Sequence, residues 1–426
     1  MKRPPKILIT NQFCQLNMGD AMILNATIQL LREILGEVDV TVLSYNPATD
    51  AARCTARVLE AMGNSWRSLP RTVWLLLQSL LWAILWRNLH LSSRWLVNDK
   101  LLRQYLNADA IIVRGGDTLT KYYGFLSLAS HLASIIPGVL MRRPVILLGH
   151  SIGPFGILAS LAKAVLNGAN LIVLREELSQ EYLQLLGIVN PRVHVTADLS
   201  VQMGDPDTRT MRRIRHDEVI NNNAKWIGVS VSQTVPRFLE HPRGFTQKRQ
   251  RYVELMATMI DYVIERFDTH VLLIPTTLGP KDKDDRIISR AVCSKTTHPE
   301  RIKLVANEYK PEELVGIIGC CEIFIGARMH ACMAALMKCV PTIALCYGHK
   351  YLGIIGWMWG QGEHILNVAD LNWEILKMSI DEIWDSREEV RRNLHMRREH
   401  ICMTAEQTRT ILRGFFKSLG ISVYSV

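Results

Sequence analysis

Apolar residues in this chain fall into short unbroken runs, separated by longer stretches where they recur every three or four positions. KILIT at 6–10 is the first run, and it leads through a polar turn into GDAMILNATIQLLREILG, whose helical spacing ends at Gly36. VDVTVLSY at 38–45 follows, then a helical stretch to about position 107, then AIIVRGGD at 110–117. VILLGHSIG at 145–153, LIVLREE at 171–177 and VHVTAD at 193–198 close the first half. Runs this short and this continuously apolar predict strands buried on both faces, as in a parallel sheet covered by helices.

Between about 200 and 224 the pattern lapses into MGDPDTRTMRRIRHDEVINNNAK, a polar stretch that reads as a boundary. It then restarts with WIGVSVS at 226–232, HVLLIPTT at 270–277, IKLVA at 302–306, IFIGA at 323–327 and PTIALCY at 341–347. From about 371 the chain reads as helix, and no repeat or low-complexity tract interrupts it. The expectation is therefore an α/β protein of two doubly wound, Rossmann-like domains. Its parts are 1–200 as the acceptor-side domain, 201–224 as a linker, 225–370 as the second domain and 371–426 as a helical region. A length of 426 residues agrees with two cores rather than one. Ligands of such sheets bind outside the carboxyl ends of the strands, which predicts a cleft there.

A net charge of +10 and a pI of about 9.2 favour anionic partners: phosphorylated metabolites, nucleic acid or an acidic membrane face. Nucleic acid is the weakest of the three. The basic groups Arg212, Arg213, Arg215 and Arg391, Arg392, Arg397, Arg398 have no aromatics interleaved among them. Nine cysteines without paired ligand spacing read as reduced thiols of a cytoplasmic protein. MKRPPKILIT is too short an apolar stretch for a signal peptide and reads as a leader into the first strand. The segment VWLLLQSLLWAILW at 73–86 changes the picture most. It falls short of the roughly 20 residues of a spanning helix. It reads as a helix buried at a domain face or, alternatively, as one lying in a membrane interface with Trp74, Trp82 and Trp86 at headgroup level.

The unusual polar residues gather at the predicted strand ends. In NMGDA at 17–21, Gly19 offers backbone freedom, and Asn17 or Asp20 can cap the next helix. In RGGDTLTKYYG at 114–124, Gly115 and Gly116 suit a tight turn or a close approach to a ligand. Arg114, Asp117 and Tyr122 accompany them. In GHSIGPF at 149–155, Gly149 and Gly153 bracket His150 and Ser151. Pro154 stands where a nucleophile elbow would start its helix, so serine hydrolysis is not expected. Arg175 closes its strand and can fork onto a carboxylate or phosphate, or pair with Glu176 or Glu177 at the surface. Asp284 and Asp285 open a helix, where acids are favoured in any case. In GARMHACMAAL at 326–336, Arg328 and His330 would diverge on a regular helix but can share the mouth of a strand-to-helix turn. There they would act as an anion clamp and a proton-transfer group, the alternative being a core histidine with its arginine facing solvent.

Together these segments resemble the polysaccharide pyruvyl transferase family. The likeness runs through the GD loop, the GG-x-x-L with Tyr-Gly at 115–124, SIGPF at 151–155, LREELS at 174–179 and the Asp284, Asp285 pair. It ends in ARMHACMAAL with VPTIALCY and the lysine that follows. Departures are QLNM before the GD, Arg114 in place of the first glycine of a GGG, and Ala327 in place of a serine. The resemblance implies a GT-B-like glycosyltransferase architecture. It also implies transfer of a pyruvyl group from phosphoenolpyruvate to a sugar, forming a ketal, with no metal and no further cofactor. It implies catalytic roles for Asp117, Arg175, Arg328 and His330. Substrate contacts would fall to Asn17, Gly19, Asp20, Arg114, Gly115, Gly116, His150, Ser151, Gly153, Gln233, Asp284, Asp285, Tyr347 and Lys350. The partners it implies are phosphoenolpyruvate and a saccharide or lipid-linked saccharide, with a peripheral contact at the inner membrane face. A nucleotide-sugar glycosyltransferase and a non-catalytic anion-binding relative are the alternatives.

Overall fold

The strand at Lys6–Gln12 (β1) shows why the chain folds as it does. Ile7 and Ile9 pack on one face of its sheet with Leu24, Ile28 and Leu31 of the helix Met18–Leu35, while Leu8 packs on the other face with Tyr105 and Leu106. A strand with apolar residues on both faces needs helices on both, and six further strands complete the sheet. They are Asp39–Ser44 (β2), Arg57–Glu60 (β3), Ala110–Leu119 (β4), Val145–Ile152 (β5), Leu171–Leu174 (β6) and Arg192–Val195 (β7). All pair parallel, in the order β3-β2-β1-β4-β5-β6-β7. This computed structural model describes residues 3–63, 66–89, 97–189, 191–221, 223–279, 283–348 and 350–424.

A second parallel sheet is built from Trp226–Ser230 (β8), His270–Leu273 (β9), Ile302–Leu304 (β10), Ile323–Gly326 (β11), Thr342–Cys346 (β12) and Ile365–Asn367 (β13). Its order is β10-β9-β8-β11-β12-β13. One face, carrying Ile227, Val229, Val271, Ile323, Ile325 and Ile343, is covered by the helix Phe245–Phe267 and by Leu376 and Ile380 of the helix Trp373–Ser418. The two sheets belong to two compact units. The first comprises Met1–Gln15, Ile23–Leu199 and Thr404–Val426; the second comprises Leu16–Met22 and Ser200–Met403.

Two strands escaped the apolar pattern. Arg57–Glu60 lies in the stretch to 107 expected to be helical, and Ile365–Asn367 was not anticipated. Both are edge strands with exposed or half-buried side chains, so neither carries a continuous apolar run. Within the polar stretch 201–224, Thr208–Asp217 forms a helix capped by Asp207, and Ile214 is its buried residue. The helix of 73–86 is longer than its apolar segment, 21 residues from Leu69 to Leu89. It is not a buried helix: only one face enters the core, through Leu75, Trp82 and Ala83. All nine cysteines are free thiols.

Candidate active site

In the second sheet, β8 and β11 are neighbours from which the chain winds outward in opposite directions, so their carboxyl ends form a topological switch point. Arg328 follows β11 directly. Its backbone is extended (φ −113°, ψ 118°), and the helix Met329–Met337 begins only after it. The side chain therefore leaves before the helical periodicity starts, which lets it and His330 share one end of the sheet. The Arg328 guanidinium forks onto Asp285, Nε to Oδ2 at 3.0 Å and Nη2 to Oδ1 at 2.8 Å. Asp285 Oδ1 also accepts from the Gln233 amide at 3.0 Å, just beyond β8.

The adjacent acids divide their work. Asp284 caps the helix Asp285–Cys293 and pairs with Arg286 at 2.6 Å. Burial opposes its ionisation, but Arg286 and its amide hold the carboxyl below the usual range. Asp285 is fully buried, while the Arg328 side chain keeps 16% exposure. Burial pushes the Asp285 carboxyl above its usual range, and Arg328 and the Gln233 amide pull it back. Burial likewise works against the Arg328 charge, but the Asp285 carboxylate outweighs it, so the guanidinium stays ionised at every ordinary pH. Arg328 thus has a resident carboxylate as its partner.

The segment Leu16–Met22 belongs to this same unit. The Met18 amide donates to the Thr276 carbonyl, the Leu278 amide donates to the Leu16 carbonyl, both at 2.8 Å, and Asn17 bridges Thr277. Asn17 is the cap, its Oδ1 accepting from the amides of Gly19 (2.9 Å) and Asp20 (3.4 Å). Gly19 does not serve as a positive-φ residue. A side chain there would place its Cβ 2.2 Å from His330 Nδ1, so the imidazole lies directly on the glycine. Lys350 is buried, its Nζ 5.7 Å from the Tyr347 ring centre and 5.8 Å from that of Tyr351. Tyr347 stacks on Phe238, and the Tyr351 hydroxyl donates to the Ala327 carbonyl at 3.0 Å. Arg328, His330, Asp285, Gln233, Gly19 and the 347–351 segment are thus all tied to one unit.

The remaining residues gather at the carboxyl ends of β1, β4, β5 and β6 in the first unit. Arg114 donates to the Asn11 carbonyl through Nη2 (3.1 Å) and Nε (3.3 Å), which joins the ends of β1 and β4 at that sheet's own switch point. Gly115 sits in no turn, because β4 continues to Leu119. A Cβ on it would lie 2.3 Å from the carbonyl oxygens of Leu148 and Gly149, so the glycine permits the close approach of β5. Asp117 accepts a hydrogen bond from Tyr123, one residue past the tyrosine singled out by sequence. His150 is fully buried with Nε2 donating to the Val113 carbonyl at 3.1 Å. Burial presses its pKa down to about 3, so it is neutral at physiological pH.

Arg175 is fully buried, not part of a surface pair. It donates to Asp198 at 2.6 Å and to Ser151 Oγ at 2.9 Å. Glu176 caps the helix Glu177–Leu185, where it takes the Ser179 amide. Asp198 is not among the residues the sequence points to, although an acid directly after the VHVTA run is a visible signal. Among the described residues, no group of three or more His, Cys, Asp or Glu side chains is placed to hold a metal ion.

Most of these residues lie within 17–349, the stretch that matches the polysaccharide pyruvyl transferase family. The chain belongs to that family. It is also similar to the amylovoran biosynthesis protein AmsJ of Erwinia amylovora, 25% identical over 438 residues, covering 97% of this chain and 99% of that protein. Among solved structures, the UDP-GlcNAc 2-epimerase from Neisseria meningitidis bound to UDP-GlcNAc matches with a TM-score of 0.61 at 11% identity, covering 96% of this chain and 99% of that one. Anabaena Alr3699/HepE in complex with UDP-glucose matches with 0.56 at 12% identity, covering 96% and 99%. At such identities the likeness is one of fold, two Rossmann-like domains of the kind found in GT-B glycosyltransferases and epimerases. As a polysaccharide pyruvyl transferase, the protein is a transferase of polysaccharide modification, and the ARMH segment falls inside the matched region.

Proposed function

We propose that this transferase moves a pyruvyl group from phosphoenolpyruvate to a saccharide of an extracellular polysaccharide, or its lipid-linked precursor, on the cytoplasmic side of the membrane. The reaction would protonate the methylene carbon of phosphoenolpyruvate and let one sugar hydroxyl add at the adjacent carbon. A second hydroxyl then displaces phosphate there and closes a cyclic ketal. Both hydroxyl protons leave, one balancing that taken up at carbon, and inorganic phosphate departs with the bridging oxygen. No redox equivalent is exchanged.

The observation that carries this reading is the imidazole of His330 lying against Gly19 beside the ion-paired Arg328, at the switch point of the second sheet. There His330 acts as the proton-transfer group. The buried Lys350 supplies preorganised positive charge for a donor that is a trianion at most, while the Arg328 guanidinium, its charge balanced by Asp285, contributes fixed N–H donors. Groups held in place in this way act most strongly as the transition state develops.

Phosphate release from phosphoenolpyruvate, measured over a panel of lipid-linked and nucleotide-linked saccharides, tests the proposal. His330→Ala should lower turnover by about 10²–10⁴-fold while calorimetric binding of phosphoenolpyruvate persists. Sugar transfer from a UDP-sugar without phosphate release would make the protein a glycosyltransferase instead. Phosphoenolpyruvate binding without turnover on any acceptor would make it a non-catalytic relative.

A further inference from the structure

The helix Leu69–Leu89 presents two unlike faces. Thr72, Leu75, Ser79, Trp82 and Ala83 are buried against the first unit. Val73, Trp74, Leu77, Leu80, Leu81 and Ile84 are all exposed, Trp74 by 60%. At 100° per residue these six fall within an arc of roughly 120°. An arc that apolar and that continuous far exceeds the scattered leucines of an ordinary surface. No Asp or Glu occurs anywhere in the helix.

Cations stand at both ends of the stripe. Arg67 is exposed just before the helix. Arg71, in its first turn, also leans toward Glu60 at 3.4 Å and Asp99 at 3.9 Å. At the far end Arg142 is exposed and lies 5.7 Å over the ring of Trp86, which stacks on Trp82. An apolar stripe with tryptophans and arginines at its margins matches the layering of a bilayer surface, hydrocarbon below and anionic headgroups at the rim. A second copy of the chain would instead bring arginines toward arginines.

We propose that this face docks the protein on an anionic phospholipid surface, with the helix lying in the interface. It does not cross the bilayer, because Leu75, Ser79, Trp82 and Ala83 are held in the protein core and cannot face lipid. The proposal stands independently of the donor chemistry, since it rests on this surface alone.

The test is co-sedimentation of the full chain with phosphatidylcholine vesicles, with and without 30% phosphatidylglycerol, for wild type and a Trp74→Ser, Leu77→Ser, Leu81→Ser triple variant. Wild type should bind the anionic vesicles more tightly. The variant should lose on the order of a hundredfold in affinity with an unchanged thermal melt. It changes no charge, so attraction of a basic protein to anionic lipid cannot produce that difference. Equal vesicle binding by both proteins would overturn the proposal, as would no binding by either. Loss of a dimer in the variant, read by light scattering, would assign the face to a second copy. Resistance of the wild type to alkaline carbonate extraction would make the helix a span.

Discussion

Placing a methyl group on Gly19 tests the contact on which the candidate site turns. In Gly19→Ala the new carbon would stand 2.2 Å from His330 Nδ1, 2.7 Å from Cγ and 2.9 Å from Cε1. Carbon atoms settle at about 3.5–4.0 Å, so the imidazole must move by about an ångström or the first turn of the helix must lift. Overpacking of this kind costs about 1–3 kcal/mol. Alanine is favoured over glycine in a helix by at most about 1 kcal/mol, which offsets part of that. The expected outcome is a net loss of about 0.5–2 kcal/mol in the wild-type background. In a His330→Ala background the methyl group has room, so the same substitution should be neutral or slightly stabilising. Urea denaturation of the four proteins, followed by circular dichroism, gives the coupling directly, about 1–3 kcal/mol. Turnover should fall in Gly19→Ala as well, since the displaced imidazole is the proposed proton carrier. An equal effect of Gly19→Ala in both backgrounds would refute the contact, and undiminished turnover would refute the role of the ring's position.

Two further outcomes follow from the buried charges and imidazoles. Arg328→Ala strands a fully buried Asp285 without its counter-charge, and we predict a stability loss of about 3–5 kcal/mol in thermal or urea denaturation. A loss below about 1 kcal/mol would mean the pair is solvated. Acid should also destabilise the fold early, because His131 and His150 are both buried with pKa values of about 3 against 6.5 when unfolded. Below pH 6.5 the unfolded chain binds these protons and the folded one does not, so stability present above that pH declines toward pH 3. At pH 4, about 2.5 pH units below the unfolded value, the loss is worth ~3 kcal/mol per imidazole. His150→Gln should flatten the decline measured between pH 6.5 and 4, and an unchanged slope would exclude His150 as a source.

The sequence alone determined everything that rests on local pattern. Short, continuously apolar runs alternating with helical patterns announced parallel sheets, because parallel strands joined by covering helices are buried on both faces. Arg328 and His330 could be placed at a strand end, because Gly326 closes an apolar run and a helical pattern follows. The edge strands Arg57–Glu60 and Ile365–Asn367 escaped, since half-exposed residues leave no such signature. The tertiary structure alone decided the partners. Arg328 lies 43 positions from Asp285, and Arg175 lies 23 from Asp198. Either arginine could as well have faced a ligand or a neighbouring glutamate. Gly19 read as a residue of unusual backbone, whereas the fold uses its missing side chain to admit a ring from position 330. The stretch 73–86 was equally apolar whether buried or exposed, and only the burial of Leu75, Trp82 and Ala83 in the first unit's core divided it into a held face and an open one. Composition and spacing record what a residue can do; which neighbour it meets depends on strand order and helix placement, which the whole chain settles together.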